Sequence, residues 1–196
     1  MTTLFLLAAL AFGADVPDLY QRSYELEATG GYRTALSTLD QLPGSEKGAY
    51  TYVLRRAWLL YLDGQLDASL RAYDQAVAAE PEAIEPLLGR MLPLLAARRW
   101  ADAEATGQQV LARDPHSYLG RSRTAWATYN LGRNDAAAAL YRGLVADYPS
   151  DVEMRAGLGW ALLGQGKKAD AAKAFEAVLR VAPKHASARE GLGMAK

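Results

Sequence analysis

The sequence predicts an all-α repeat protein built from five consecutive helix-turn-helix units of 34 residues, and four residue series in one register carry that reading. Pro81, Pro115, Pro149 and Pro183 follow one another at a step of 34 residues. Gly30, Gly64, Gly132 and Gly166 fall on a grid of the same 34-residue step, with Arg98 at the place a fifth glycine would fill. The small residues Ala35, Ser69, Ala103, Ala137 and Ala171 make a third series in that register, and Leu26, Leu60, Leu94, Thr128 and Leu162 a fourth. No insertion or deletion interrupts the register from residue 16 to the end. Several series sharing one period are the mark of a stacked array, in which each unit buries its apolar face only against its neighbours.

The elements follow in chain order. Residues 4–12 are an unbroken apolar run, with no charged side chain before Asp15. Ala11 and Gly13 suit a cut after Gly13, whereas a cut after Ala14 would put bulky Phe12 at a less tolerant position. The run is too short to span a bilayer, which needs roughly 20 apolar residues. Residues 1–14 therefore read as a secretory signal peptide, and residues 15–196 as a periplasmic or secreted mature chain. The alternative is an apolar first helix packed on the array. The chain has no cysteine. This rules out a lipidated cysteine anchor, disulfides and thiolate chemistry together. No later stretch is apolar enough for an integral membrane segment.

The units span about residues 16–49, 50–83, 84–117, 118–151 and 152–185, and residues 186–196 begin a sixth that serves as a capping helix. The second unit shows the logic. Over residues 49–62, Val53, Ala57 and Leu60 recur at helical spacing. Gly64-Gln65 then stops the helix, because glycine accepts the left-handed turn at a helix end. Residues 68–79 form a second helix with Tyr73, Ala76 and Val77 inward. Pro81 ends it and is expected to open the next helix. Ser69 stands where the paired helices cross, and a large side chain there would force them apart. In the first unit Lys47 replaces the proline and Pro43 comes early, so its second helix is expected to end short.

The fifth unit, with Leu158, Gly159, Gly166, Ala171, Phe175 and Pro183, resembles the tetratricopeptide repeat family, and the resemblance extends over about 180 residues of the chain. The departures are Arg22, Arg56 and Arg90 at the usual leucine, and Leu19, Val53, Leu87, Arg121 and Arg155 at the usual early tryptophan. The resemblance implies a right-handed α-α superhelix, a solenoid whose first helices line a concave groove. It also implies a non-catalytic scaffold that binds a protein or peptide there and is monomeric without its partner. On that groove the series Tyr24, Trp58, Leu92, Trp126 and Trp160, with Tyr61 and Tyr129 one turn onward, forms a candidate peptide-binding stripe. Large aromatics anchor interfaces at low entropic cost. The same residues could instead pack between successive first helices. Trp100, in the series Tyr32, Leu66 and Trp100, is expected to be structural.

Other chemistry finds little support. Lys plus Arg and Asp plus Glu both number 22, so the neutral chain has no electrostatic footprint for nucleic acid. The arginine ladders, Arg22, Arg56 and Arg90 and then Arg121, Arg155 and Arg189, either cover apolar surface and reach carboxylates, or form a row of donors for an anion. His116 and His185 each follow a repeat-ending proline and read as separate, solvated turn residues. No catalytic, phosphate-binding, cofactor or metal motif occurs. A second functional class stays open, in which the array is a structural subunit of an envelope assembly or associates with itself.

Overall fold

The computed structural model describes residues 15–196, and the apolar run with its cleavage site lies outside the described residues. Eleven helices follow one another there: α1 (Val16–Ala28), α2 (Tyr32–Leu39), α3 (Tyr50–Leu62), α4 (Leu66–Ala79), α5 (Glu85–Ala96), α6 (Trp100–Arg113), α7 (Tyr118–Asn130), α8 (Asn134–Asp147), α9 (Val152–Gly164), α10 (Lys168–Val181) and α11 (Ala186–Ala195). Each helix packs on the next, which makes five hairpins with α11 closing the last one. The second helices begin at Tyr32, Leu66, Trp100, Asn134 and Lys168, a constant step of 34, so the sequence period is also a backbone period. Among the described residues no helix is long and apolar enough to cross a membrane.

The turn inside each hairpin has one construction. Gly30, Gly64, Gly132 and Gly166 take φ of +79°, +78°, +75° and +76°. The chain then folds back so that the N–H groups of Gly31, Gln65, Arg99, Arg133 and Lys167 donate to the carbonyls of Leu26, Leu60, Leu94, Thr128 and Leu162, at 2.8–3.2 Å. These carbonyls belong to the fourth sequence series, and the bond is the longer of the two that close a helix C-terminus around a left-handed residue. Arg98 adopts φ +55° at the step without a glycine. The surrounding turn therefore imposes the left-handed state even on an L side chain, for which it is unfavourable by about 1–2 kcal/mol.

The prolines act differently from expectation. Pro115, Pro149 and Pro183 lie in the inter-unit turns three residues before α7, α9 and α11, and Pro81 lies four before α5. They end one helix without occupying the first turn of the next. Side chains open several first helices instead. Asp15 accepts from Val16, Ser117 from Gly120, Asp151 from Glu153 and Met154, and His185 from Ala188. Caps of the Ser117 and Asp151 kind, onto the second or third helical N–H, contribute about 1 kcal/mol each. As the early Pro43 implies, α2 has 8 residues where α4, α6, α8 and α10 have 14.

The core of the described residues is a row of six apolar clusters strung along the array. One joins Leu19, Leu39, Leu42, Tyr52 and Leu59, another Ala125, Ala137, Tyr141, Leu144 and Ala161, and a third Leu162, Ala171, Phe175 and Val178. Ala35, Ser69, Ala103, Ala137 and Ala171 are all fully buried, and the Ser69 hydroxyl donates to the Ala57 carbonyl at 2.8 Å. Between hairpins, rings fit against glycines. A methyl group at Gly89 would lie 2.2 Å from the Tyr73 ring, one at Gly157 2.5 Å from Tyr141, and one at Gly191 2.2 Å from Phe175. Where the second helix offers Leu39 or Gly107 at the ring position, the following first helix carries Arg55 or Arg123 at the glycine position.

Candidate binding groove

The first helices form the inner row of the array. α3 touches α5, α5 touches α7, α7 touches α9 and α9 touches α11, whereas successive second helices make no comparable contact among the described residues. A row held this closely on one side curves toward that side. Two cavities open along it. The larger, about 880 Å³, runs from α1 to α7 and is lined by Tyr24, Leu54, Trp58, Leu88, Leu92 and Leu119 among others. The smaller, about 400 Å³, runs from α7 to the start of α11 and is lined by Ser122, Trp126, Tyr129, Met154, Trp160 and Ser187 among others. Both fall in the size range of ligand pockets. Arg123 lines both cavities.

The aromatic series does not behave as one stripe. The Trp58 indole N–H donates to Glu27 Oε1 at 2.6 Å, and the Trp58 ring packs on Tyr61 with centroids 5.7 Å apart. Tyr61 therefore backs Trp58 and lines neither cavity. The Trp160 indole N–H donates to Ser187 Oγ at 2.7 Å, and its ring meets Phe175 edge-on at 5.5 Å. Both tryptophans thus present one edge to the groove while tying neighbouring first helices together. Trp126 is different: it is 52% exposed, with its ring resting at 6.2 Å from Trp100. Trp100 packs on Leu70, Leu94, Leu95, Ala103 and Ala127, as expected for that place, and also supports the exposed Trp126. Tyr24 is 51% exposed and lies under the Arg55 guanidinium, 3.7 Å from ring centroid to Cζ, a cation–π contact.

Two arginines that fall outside the predicted ladders shape the groove. Arg55 is only 6% exposed; its Nε donates to Ser23 Oγ at 3.1 Å and its Nη1 pairs with Glu27. Glu27 thus holds Arg55 and Trp58 at once. Arg123 donates from Nη1 to the Leu88 carbonyl at 2.6 Å and has no carboxylate partner among the described residues. Burial lowers its pKa from the ordinary arginine value. Burial likewise raises the pKa of Tyr73, Tyr129 and Tyr141, whose hydroxyls stay neutral. The signal for these arginines was present in the sequence, in the alternation Arg55, Gly89, Arg123, Gly157 set against Leu39, Tyr73, Gly107, Tyr141.

The predicted ladders lie elsewhere. Arg90 pairs with Asp74 at 2.7 Å and donates to Thr106, Arg121 pairs with Asp147 at 2.6 Å, and Arg155 donates to the Pro149 carbonyl. None of the six ladder arginines lines either groove cavity. His116 is exposed. His185 departs from the solvated reading: its side chain is 11% exposed, Nδ1 accepts from Ala188 N–H at 3.1 Å, and Nε2 lies 3.0 Å from Glu153 Oε1. A histidine at the N-cap supplies the acceptor that the first free N–H groups of α11 need.

The family model of the tetratricopeptide repeat matches residues 93–152 and 156–195. No curated protein gives a significant match. Solved structures similar to this chain include YrrB, described as a tetratricopeptide repeat protein with an unusual peptide-binding site. It is 14% identical, with 90% of this chain and 91% of that one covered and a TM-score of 0.75. MamA from Desulfovibrio magneticus RS-1, from residue 41 to its end, is 17% identical, with 88% and 98% covered and a TM-score of 0.79. A thermophilic repeat protein of Thermus thermophilus is 18% identical, with 91% and 97% covered and a TM-score of 0.65. At such identities the likeness concerns the fold.

Proposed function

Because the chain belongs to the tetratricopeptide repeat family, we propose that it is a non-catalytic scaffold that holds a peptide segment of a partner protein in its inner groove. The observation that carries this reading is Trp126: a large aromatic that is 52% exposed, braced from behind by Trp100, and beside a cavity of about 400 Å³. An exposed ring with a rigid support loses little entropy on binding. The reading includes export, which the apolar run at residues 4–12 supports, and a monomeric state without partner, to be checked by light scattering.

The test separates binding from packing. A partner is captured from an envelope extract with the mature chain and then titrated. Trp126→Ala is expected to melt close to the parent and to weaken binding by about 2 kcal/mol or more, the hot-spot scale. Trp160→Ala, which opens a hole beside Phe175, is expected to lower stability by roughly 3–5 kcal/mol. A Trp126→Ala protein that melts early yet binds normally once folded would refute the ligand-facing role.

A further inference from the structure

Arg123 is a cation without a counter-ion among the described residues, set between two apolar cavities. It projects from α7, the helix the cavities share, and lines each of them. One of its nitrogens, Nη1, is taken by the Leu88 carbonyl. The other two, Nε and Nη2, are neither sealed from solvent nor bonded among the described residues. Arg55 differs: that guanidinium is compensated by its own carboxylate, Glu27, and its one unbonded nitrogen, Nη2, is sealed from solvent. A partly buried guanidinium with free donors gains most from a ligand carboxylate, because the charge is already partly desolvated and the planar fork matches a carboxylate edge.

We propose that the partner segment presents an internal acidic side chain to Arg123, flanked on each side by apolar residues that enter the two cavities. This rests on the groove reading above and names the chemistry of its occupant. The acidic group is internal because apolar cavity continues on both sides of Arg123. It is single because the remaining carboxylates of the groove oppose a run of acids. Glu85, holding the Tyr50 hydroxyl, lines the larger cavity, and Glu153, beside His185, lines the smaller. A second or third acidic residue in the ligand would meet one of these.

The experiment uses the mature chain and a displayed library of internal random peptides of about seven residues, roughly 23 Å when extended. The expected enrichment is one Asp or Glu bracketed by Leu, Phe or Trp. The enriched peptide, made with blocked ends, is then compared with its amide counterpart, Asn for Asp or Gln for Glu. The amide should bind the parent roughly tenfold or more weakly, since a hydrogen bond to a charged group is at stake. Arg123→Gln should bind acid and amide alike, and Arg123→Lys should keep part of the preference. Circular dichroism melts show that both variants are folded. Enrichment of apolar peptides with no acid, of acidic runs, or an unchanged acid preference in Arg123→Gln would overturn the assignment while leaving a groove that binds peptide. Absence of any enriched peptide would overturn both readings.

Discussion

The ring-in-glycine packing between hairpins makes a quantitative demand at Gly89. Replacing a mid-helix glycine with alanine normally stabilises a helix by about 0.8–1.0 kcal/mol. At Gly89 the added methyl would lie 2.2 Å from Tyr73 Cε1 and 2.5 Å from Cζ, whereas carbon atoms prefer about 3.5–4.0 Å. Tyr73 is 2% exposed and cannot swing away. Overpacking of this kind costs about 1–3 kcal/mol, and a displacement of more than an ångström belongs at the upper end. Gly89→Ala should therefore destabilise by roughly 2 kcal/mol. In a Tyr73→Ala background, itself weakened by about 3–5 kcal/mol, the methyl has room and should restore about 1 kcal/mol. The coupling between the two sites is then about 3 kcal/mol, the top of the range for residues in contact. Gly143→Ala is the control, since its nearest neighbour is Arg121 Nη1 at 3.8 Å, and it should stabilise by up to about 1 kcal/mol. Urea melts followed by circular dichroism, compared at unchanged m, read all four proteins. Additive effects at Gly89 and Tyr73, or a Gly89→Ala protein stabilised like Gly143→Ala, would show that the ring does not key into the glycine.

Three further outcomes can be measured. Ala137→Leu, at a fully buried helix crossing, should cost about 1–3 kcal/mol in urea melts, while Ala139→Leu on the exposed side of α8 should be near neutral; equal losses would contradict the observed faces of that helix. The Tyr118 hydroxyl donates to Asp151 at 2.6 Å, and that bond, with burial second, pushes its pKa up to about 12 from 10.0. A raised folded-state value means that this stabilisation is complete below pH 10 and lost as pH rises through about 12; Tyr118→Phe should flatten the dependence of the urea midpoint over that window and cost roughly 1 kcal/mol at neutral pH. If residues 1–14 are an export signal, the intact mass of protein recovered from cells should correspond to a chain beginning at Ala14 or Asp15; a product retaining residues 4–12 would contradict export.

The period was legible because it is fixed by steric necessity. A left-handed turn wants Gly64, and a helix crossing tolerates only Ala or Ser at the Ser69 position, so both leave marks in composition. Arg98 broke the glycine mark without breaking the turn, because five-residue closure onto Leu94 overrides the local preference. The division among Trp58, Trp126 and Trp160 was not legible. They share one register, and only their surroundings differ: Glu27 and Ser187 reach two of the indoles, and Trp126 has no bond of that kind among the described residues. His185 escaped for a similar reason, since a capping role depends on where the imidazole turns. Arg123 stood in plain view, but its meaning required knowing that it lines both cavities and has no carboxylate partner among the described residues.

The alternation of rings and glycines also bears on how such a chain can be shortened or spliced. The constant step would let any single unit be excised without disturbing the turns. Removing residues 84–117, however, would bring Tyr73 against Arg123, whereas removing residues 84–151 would bring it against Gly157, the kind of neighbour it has now. Units in this part of the array are thus exchangeable in twos and not singly, so that parity, as well as length, constrains which descendants of the gene can still fold.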